Sequence, residues 1–144
     1  MDDGIPLLFS TLLSGNPDEL APRTASVAVR MATTCADDTI EAITAAVREL
    51  VDAFHSRNDV GPAAVRVVIF TATADLRSMK PAVAARAAGW SDAQCLCLAE
   101  MPTDDDLPRC IRALLIVDRG RGADRLRAIY LNGTQALRPD VRFE

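Results

Sequence analysis

The chain has 144 residues, of which 49% are hydrophobic and 25% are charged, and its formal net charge is −4 at pH 7. This is the composition of one globular domain large enough to bury a core, and the acidic balance argues against a nucleic-acid-binding surface. The apolar stretches are shorter than the roughly 20 residues that span a bilayer, and the first residues are acidic rather than basic, so neither membrane insertion nor export is expected.

Four cysteines, Cys35, Cys95, Cys97 and Cys110, are spread along the chain without a C-x-x-C pair. The single histidine, His55, falls at the end of a predicted helix, where a surface or capping role is the simplest interpretation. This set supports a zinc site poorly, and free thiols in a reducing cytoplasm are the better interpretation. We therefore expect a cytoplasmic protein with no metal and no cofactor.

The first predicted elements are a strand and one long helix. Residues 1–25 show no sustained periodicity and are interpreted as an N-terminal extension, with at most one short helix, ahead of a domain of residues 26–144. Residues 26–31 alternate in the manner of a β-strand. A helix is predicted to begin near Asp38, with a capping acceptor followed by Glu41, and its apolar residues continue at helical spacing to Phe54.

The second half of the chain alternates between strands and one further helix. Apolar runs rich in β-branched residues predict strands at 65–72, 94–101, 109–119 and 127–137, the last preceded by a helical turn at 123–126. An alanine-rich helix at 81–88 ends at Gly89. The predicted fold is α/β of the α+β type, a five-stranded mixed sheet packed with one long and one short helix.

The number of helices is too small to cover both faces of such a sheet. Strands at 65–72 and 109–119 are apolar on both sides, which indicates that both faces are buried. Self-association of the chain is the simplest way to cover the second face.

Arg112 is the most unusual residue of the predicted strands. It shares a strand face with Cys110 and Leu114, so its guanidinium must reach solvent or find an anion. An ion pair with Glu100 and an anionic ligand are both consistent with this position. Arg30 stands in an apolar strand in the same way. Two such cations favour one shared anionic ligand.

Cys97 and Glu100 differ in parity along their predicted strand. A regular strand would place their side chains on opposite faces, so a bulge would be needed to bring both into one pocket. The sequence has no Gly-rich phosphate loop, Ser-His-Asp set or convincing acid/base pair. Arginines, one carboxylate and one tyrosine suit a reaction that needs charge stabilisation without proton transfer.

Several short motifs occur together in a characteristic order and spacing. They are Val29-Arg30-Met-Ala-Thr-Thr34, Thr71-Ala-Thr-Ala-Asp-Leu76, Pro81-Ala82 with Arg86 and Gly89-Trp90, Cys97-Leu-Ala-Glu-Met101, Cys110-Ile-Arg112, Ile129-Tyr-Leu131 and Leu137-Arg-Pro-Asp140. On these motifs, residues 27–143 resemble the AroH class of chorismate mutase, an isomerase of the shikimate pathway in aromatic amino acid biosynthesis. The resemblance implies a homotrimer with a pseudo-α/β-barrel of sheets and with active sites between subunits.

The resemblance also implies a reaction and its main residues. Chorismate, a dianion, would undergo a [3,3] rearrangement to prephenate without covalent or acid-base catalysis. Arg112 would donate to the ether oxygen and a carboxylate, and Arg30 would bind a carboxylate. Glu100 would hold the ring hydroxyl, and Tyr130 would donate to a carboxylate.

Further pocket residues follow from the same resemblance. Cys97 and Leu137 would line the pocket and Arg138 would contribute to substrate binding, while Arg86 and Leu96 would reach in from the neighbouring subunit. The chain departs from the family where an aromatic residue and a cation are usual, because those positions hold Lys80 and Val83. We hypothesise that Lys80 supplies the charge that Val83 lacks.

Two other functions remain open at this point. A divergent homologue could act on another chorismate-like acid in specialised metabolism, and the departures at Lys80 and Val83 leave room for this. A trimer that binds a ligand without turnover is the other alternative, although Arg30, Glu100, Arg112 and Tyr130 are all present.

Overall fold

The computed structural model describes residues 24–120 and 125–142. In chain order the elements are β1 (Thr24–Thr34), α1 (Ile40–Asn58), β2 (Val65–Ala72), α2 (Pro81–Ala87), β3 (Gln94–Ala99), β4 (Cys110–Gly120) and β5 (Ile129–Tyr130). Short 3-10 helices cover Pro62–Ala64 and Thr134–Leu137. The predicted α+β fold, with one long and one short helix, is confirmed.

The strands form one mixed sheet in the order β3-β2-β4-β1-β5. The central pairs β2–β4 and β1–β4 are antiparallel, and the outer pairs β2–β3 and β1–β5 are parallel. The β1–β4 ladder runs without interruption from the pair Thr24–Gly120 to the pair Thr34–Cys110. This long ladder fixes which side chains of the two strands stand next to one another.

Helix α1 begins near the predicted position, but its capping acceptor is Thr39 rather than the predicted Asp38. The Thr39 hydroxyl accepts a hydrogen bond from the Ala42 amide at 3.0 Å, which satisfies one of the free N–H groups of the first turn. The helix ends at Asn58, after which Asp59 adopts a left-handed conformation with φ of 47°.

One face of the sheet carries the hydrophobic core, and we call it the closed face. Alternate residues of β1 and β4, such as Met31, Leu115 and Val117, pack in one cluster with the apolar stripe of α1. The buried side chains of that stripe are Ile43, Ala46, Val47, Leu50, Val51 and Phe54.

The opposite face, which we call the open face, is covered by none of the described elements. It carries Leu96 at 57% exposure, Leu98 at 48% and Leu114 at 38%. Arg30 and Arg112 point to the same face, because Arg30 pairs with Leu114 and Arg112 lies two residues from it. The sequence predicted that helices cover only one face, which is confirmed, and that self-association buries the other, which stays a prediction.

The bounds of β5 and β1 differ from the sequence prediction. Strand β5 has two residues rather than the predicted 127–137, because Asn132 and Gly133 take left-handed conformations and turn the chain out of the sheet. Strand β1 is longer and includes Thr24 and Ala25, which were predicted to lie in the extension. Residues 1–23 and residues 123–124 of the predicted helical turn lie outside the described residues, and residues 125–126 are not helical.

His55 has a structural role in the core. Its Nδ1 donates to the Val60 carbonyl at 2.6 Å, and its Nε2 accepts a hydrogen bond from the Trp90 indole at 2.8 Å. Trp90 is 1% exposed and packs edge-on against Phe54. The predicted surface or capping role of His55 is therefore wrong. The sequence did not indicate the contact with Trp90, because that contact depends on how α1 packs against α2.

Candidate active site

Three residues singled out from the sequence, Arg30, Glu100 and Arg112, line one pocket on the open face. The pocket has a volume of about 240 Å³. Its described lining consists of Arg30, Ile69, Thr71, Glu100, Arg112, Ala113 and Leu114. Its polar groups are thus two guanidiniums, one carboxylate and one hydroxyl.

Strand register explains why these side chains meet. Arg112 pairs with Ala32 on one side and with Thr71 on the other, so all three lie in one row across the sheet. Arg30 is a diagonal neighbour of Arg112 on the adjacent strand. The Glu100 amide donates to the Ala72 carbonyl at 3.0 Å, which extends the β2–β3 pairing beyond the end of β3.

The Glu100 carboxylate is held at both oxygens. Nη1 of Arg112 lies 3.0 Å from Oε1, and the Thr71 hydroxyl donates to Oε2. The side chain of Glu100 is 17% exposed, so these contacts replace most of its hydration. Its orientation is therefore fixed before any ligand enters.

Arg112 is only partly used by this ion pair. Its side chain is 36% exposed, and within residues 24–120 and 125–142 Nη1 alone has a protein hydrogen-bond partner. The remaining N–H donors are accessible to a ligand in the pocket. An ion pair with Glu100 and an anionic ligand were alternatives in the sequence, and this geometry permits both at once.

Thr71 is a site residue that the sequence analysis did not identify. A threonine in an apolar strand is unremarkable, because β-branched residues favour strands. Its placement beside Glu100 depends on the β2–β4 and β2–β3 registers together. The alternation of β2 indicates which residues share a face with Thr71. It does not indicate that Glu100 is a neighbour, because that depends on the strand registers.

Tyr130, Leu137 and Arg138 lie on the far side of β1 from Arg112. Tyr130 pairs with Ala32, which itself pairs with Arg112, so Tyr130 belongs to the same row two strands away. Arg138 makes two hydrogen bonds to Asp140, at 3.0 and 2.9 Å. The Asp140 carboxylate raises the pKa of Arg138, and Tyr130 adds a smaller effect in the same direction.

The predicted residues Lys80, Arg86, Leu96 and Cys97 lie at or near the opposite edge, which is formed by β3. Lys80 precedes α2, and both Lys80 and Arg86 are exposed. Leu96 is on the open face, whereas Cys97 pairs with Phe70 and packs toward the core. Within one chain the structure does not bring these four residues into the Arg112 pocket.

Cys97 and Glu100 lie on opposite faces, as their parity predicted for a regular strand. The β2–β3 register runs without a shift from Val67–Gln94 to Ala72–Ala99, so no bulge turns Cys97 toward Glu100. The structure therefore does not bring Cys97 into the pocket that Glu100 lines.

All four cysteines are free thiols. Burial raises the pKa of Cys35 and that of Cys110 to about 11, which keeps both protonated at neutral pH. Burial also raises the pKa of Cys95. Among the described residues, no cluster of three metal-ligating side chains occurs, and no helix is long and apolar enough to cross a membrane.

Fold and pocket together define a class of protein: an α+β chain with a mixed sheet whose open face carries two arginines, Arg30 and Arg112, in one small pocket. The chain belongs to the chorismate mutase type I family, whose sequence profile matches residues 26–141. The similarity thus covers most of the chain, including every strand and both helices.

Individual relatives agree with this assignment. A chorismate mutase AroH of Thermus thermophilus is 40% identical over 114 residues, which are 78% of this chain and 93% of that protein. The chorismate mutase AroH of Bacillus subtilis (strain 168) is 33% identical over 114 residues, 78% of this chain and 90% of that protein. A solved chorismate mutase from Clostridium thermocellum matches with a TM-score of 0.69 at 32% identity, over 76% of this chain and 97% of that chain.

Proposed function

We propose that this protein is an isomerase that converts chorismate to prephenate, in aromatic amino acid biosynthesis. Family membership and the similarity to named chorismate mutases support this activity. The structural observation that carries it is the Arg112 guanidinium, which Glu100 holds by one nitrogen while its other donors line a pocket.

The rearrangement is intramolecular, so the protein needs to supply no atom, electron or proton. The ether C–O bond breaks as a new C–C bond forms, and negative charge develops on the ether oxygen while the ring becomes partly positive. Arg112 would donate to that oxygen and to a carboxylate. Removing one donor aimed at developing charge typically costs about 100- to 1000-fold in kcat.

Glu100 and Arg30 have complementary roles in this proposal. The Glu100 carboxylate would accept from the ring hydroxyl and lie near the positive charge that develops on the ring. Arg30, exposed on the same face, would bind a substrate carboxylate through its planar fork. Tyr130, Leu137 and Arg138 would complete the binding surface on the β5 side.

We propose that the chain acts as a homotrimer, with active sites between subunits that form a pseudo-barrel. The pocket of about 240 Å³ is smaller than the roughly 300–1000 Å³ usual for small-molecule sites. The open face bears exposed Leu96, Leu98 and Leu114, which a second chain would cover. Arg86 and Leu96, near the β3 edge, would then reach into a neighbour's site, and Lys80 would stand at the wall of that cleft.

A related substrate is the second candidate, and the departure from the family at the start of α2 favours it. Lys80 is exposed at the N-cap of α2, and Val83 is 48% exposed one turn later. If these residues face a neighbour's pocket, its charge pattern differs from that of the family. We also propose a cytoplasmic location, where four free thiols persist, and an N-terminal extension that ends where β1 begins.

Chorismate depletion by the purified protein, with the product identified by NMR, tests the activity. We expect prephenate from the wild type and a kcat lower by about 100-fold or more in Arg112→Ala. Arg66→Ala is the matched control, because Arg66 is an exposed β2 arginine whose contact is with Asp118. Another product would establish the related substrate, no turnover would indicate a ligand-binding protein, and full activity in Arg112→Ala would overturn the mechanism.

A further inference from the structure

A second cavity, of about 440 Å³, lies where the end of α1 meets β5 and the C-terminal segment. Its size is within the usual range for a small organic ligand. None of Arg30, Glu100 and Arg112 lines it. Its described lining is Arg57, Arg127, Ala128, Tyr130, Leu131, Gln135, Val141 and Arg142.

The charge of this cavity is of one sign. Arg57, Arg127 and Arg142 contribute three guanidiniums, and the described lining contains no carboxylate. In the described part of the chain these three have no ion-pair partner, whereas Arg66, Arg112 and Arg138 each have one. Such a cluster is notable in a chain whose net charge is −4, because like charges held together oppose folding.

A buried asparagine holds two of these arginines in place. Asn58, 5% exposed, accepts from the Arg127 amide at 2.6 Å and donates to the Arg127 carbonyl at 3.1 Å. It also donates to the Phe54 carbonyl inside α1. Arg57 precedes Asn58 directly, so the backbones of Arg57 and Arg127 are fixed side by side before a ligand arrives. Both side chains are exposed, so the backbone positions, rather than the guanidiniums themselves, are fixed before binding.

The other walls complete a site for an amphipathic anion. Leu131 and Val141 provide apolar surface, and Gln135 provides an amide. We propose that this cavity binds a small organic anion, a carboxylate or phosphate attached to an apolar group, with Arg57 and Arg127 as its main ligands. Tyr130 lines this cavity and stands two strands from Arg112 in the same row of the sheet.

Calorimetric titration with benzoate and with inorganic phosphate tests the proposal on the full chain. We expect saturable binding to the wild type, weakened about tenfold or more in Arg57→Gln/Arg127→Gln, since each removes a charge-assisted contact. Arg48→Gln, at an exposed position of the same helix, is the control and should bind as the wild type does. Tighter binding of benzoate would identify the natural ligand as a carboxylate attached to an apolar group. Tighter binding of phosphate would identify it as a phosphate ester.

The Arg112→Ala variant distinguishes binding in this cavity from binding in the substrate pocket. We expect the affinity of Arg112→Ala for benzoate and phosphate to be unchanged. We expect Arg57→Gln/Arg127→Gln to turn over chorismate with an unchanged KM. Absence of saturable binding in a folded wild type would overturn the inference. So would binding that is lost in Arg112→Ala but kept in the double variant, because the anion would then occupy the substrate pocket. The titrations do not depend on turnover, so their failure is distinguishable from failure of the proposed activity.

Discussion

Thr71 donates its hydroxyl hydrogen bond to Oε2 of Glu100, across the boundary between β2 and the end of β3. The other carboxylate oxygen is bound by Arg112 at 3.0 Å. Thr71 therefore fixes the rotation of the carboxylate, and Glu100 in turn fixes one edge of the guanidinium. The Arg112 guanidinium is thus positioned by two successive contacts that begin at a neutral residue.

Replacing Thr71 with valine removes this hydroxyl and keeps the shape of the side chain. We expect kcat to fall about tenfold with a smaller change in KM, since one hydrogen bond to a charged group is lost and Glu100 can rotate. Thr71→Ser should restore most of the activity because it restores the hydroxyl. Steady-state kinetics measure both; a valine variant with wild-type kcat, or a serine variant as impaired as valine, would contradict the positioning role.

Lys80→Phe tests whether Lys80 carries the charge that Val83 lacks. We expect the KM for chorismate to rise about tenfold, because one charge-assisted contact to a carboxylate is lost. The double variant Lys80→Phe/Val83→Lys returns a cation to the second position and should recover most of the affinity. Much tighter binding of chorismate by Lys80→Phe alone would contradict this role, because it would show that Lys80 weakens substrate binding.

Leu98→Glu tests whether the open face is an interface. Leu98 is 48% exposed on the β3 edge strand, and a carboxylate there would be costly to bury between chains. We expect light scattering to give three times the chain mass of 15.5 kDa for the wild type and a smaller mass for this variant. Ile40→Glu is the control, because Ile40 is 55% exposed at the start of α1. A monomeric wild type would refute the trimer.

Asp38 makes stability depend on pH in the acid range. Its Oδ1 accepts from the amides of Arg77 and Ser78, both at 2.9 Å, and the Ser78 amide followed by that of Arg77 lowers the pKa of Asp38 below its ordinary 3.8. A depressed folded-state pKa contributes stability above the unfolded pKa, and this contribution is lost as pH falls through the folded value. The urea concentration at the unfolding midpoint of the wild type should therefore decrease as the pH is lowered below about 4.

Asp38→Asn should show a shallower loss of its urea midpoint between pH 6 and pH 3 than the wild type, because the titrating group is gone. Asp52→Asn, at an exposed position of α1, serves as the comparison. Identical pH profiles for the wild type and Asp38→Asn would contradict the assignment.

His55→Phe tests the contact between α1 and Trp90. The indole N–H loses its acceptor while Trp90 stays buried, which is expected to cost about 1–3 kcal/mol. Urea unfolding measures the change, with Ser56→Ala as an exposed neighbour for comparison. A variant as stable as the wild type would show that water or another group replaces the imidazole.

The candidate site was predictable in part. Arg30, Glu100 and Arg112 were identified because a charge inside an apolar strand is costly, and the structure brings these three together. Cys97 was predicted for the same pocket on resemblance, yet its parity correctly indicated the opposite face. The proposed roles of Tyr130, Leu137 and Arg138 depend on the β5 side, where a left-handed turn at Asn132 and Gly133 ended the strand early.

The sequence by itself determined the order of the elements, the closed and open faces of the sheet, and the isolated cations. These features follow from periods of 2 and 3.6 residues and from local capping, which act over a few positions. The tertiary structure alone decided the contacts of Thr71 with Glu100, Asn58 with Arg127 and Trp90 with His55. Each of these joins residues far apart in the chain, and strand register and helix packing, rather than local preference, set their distances.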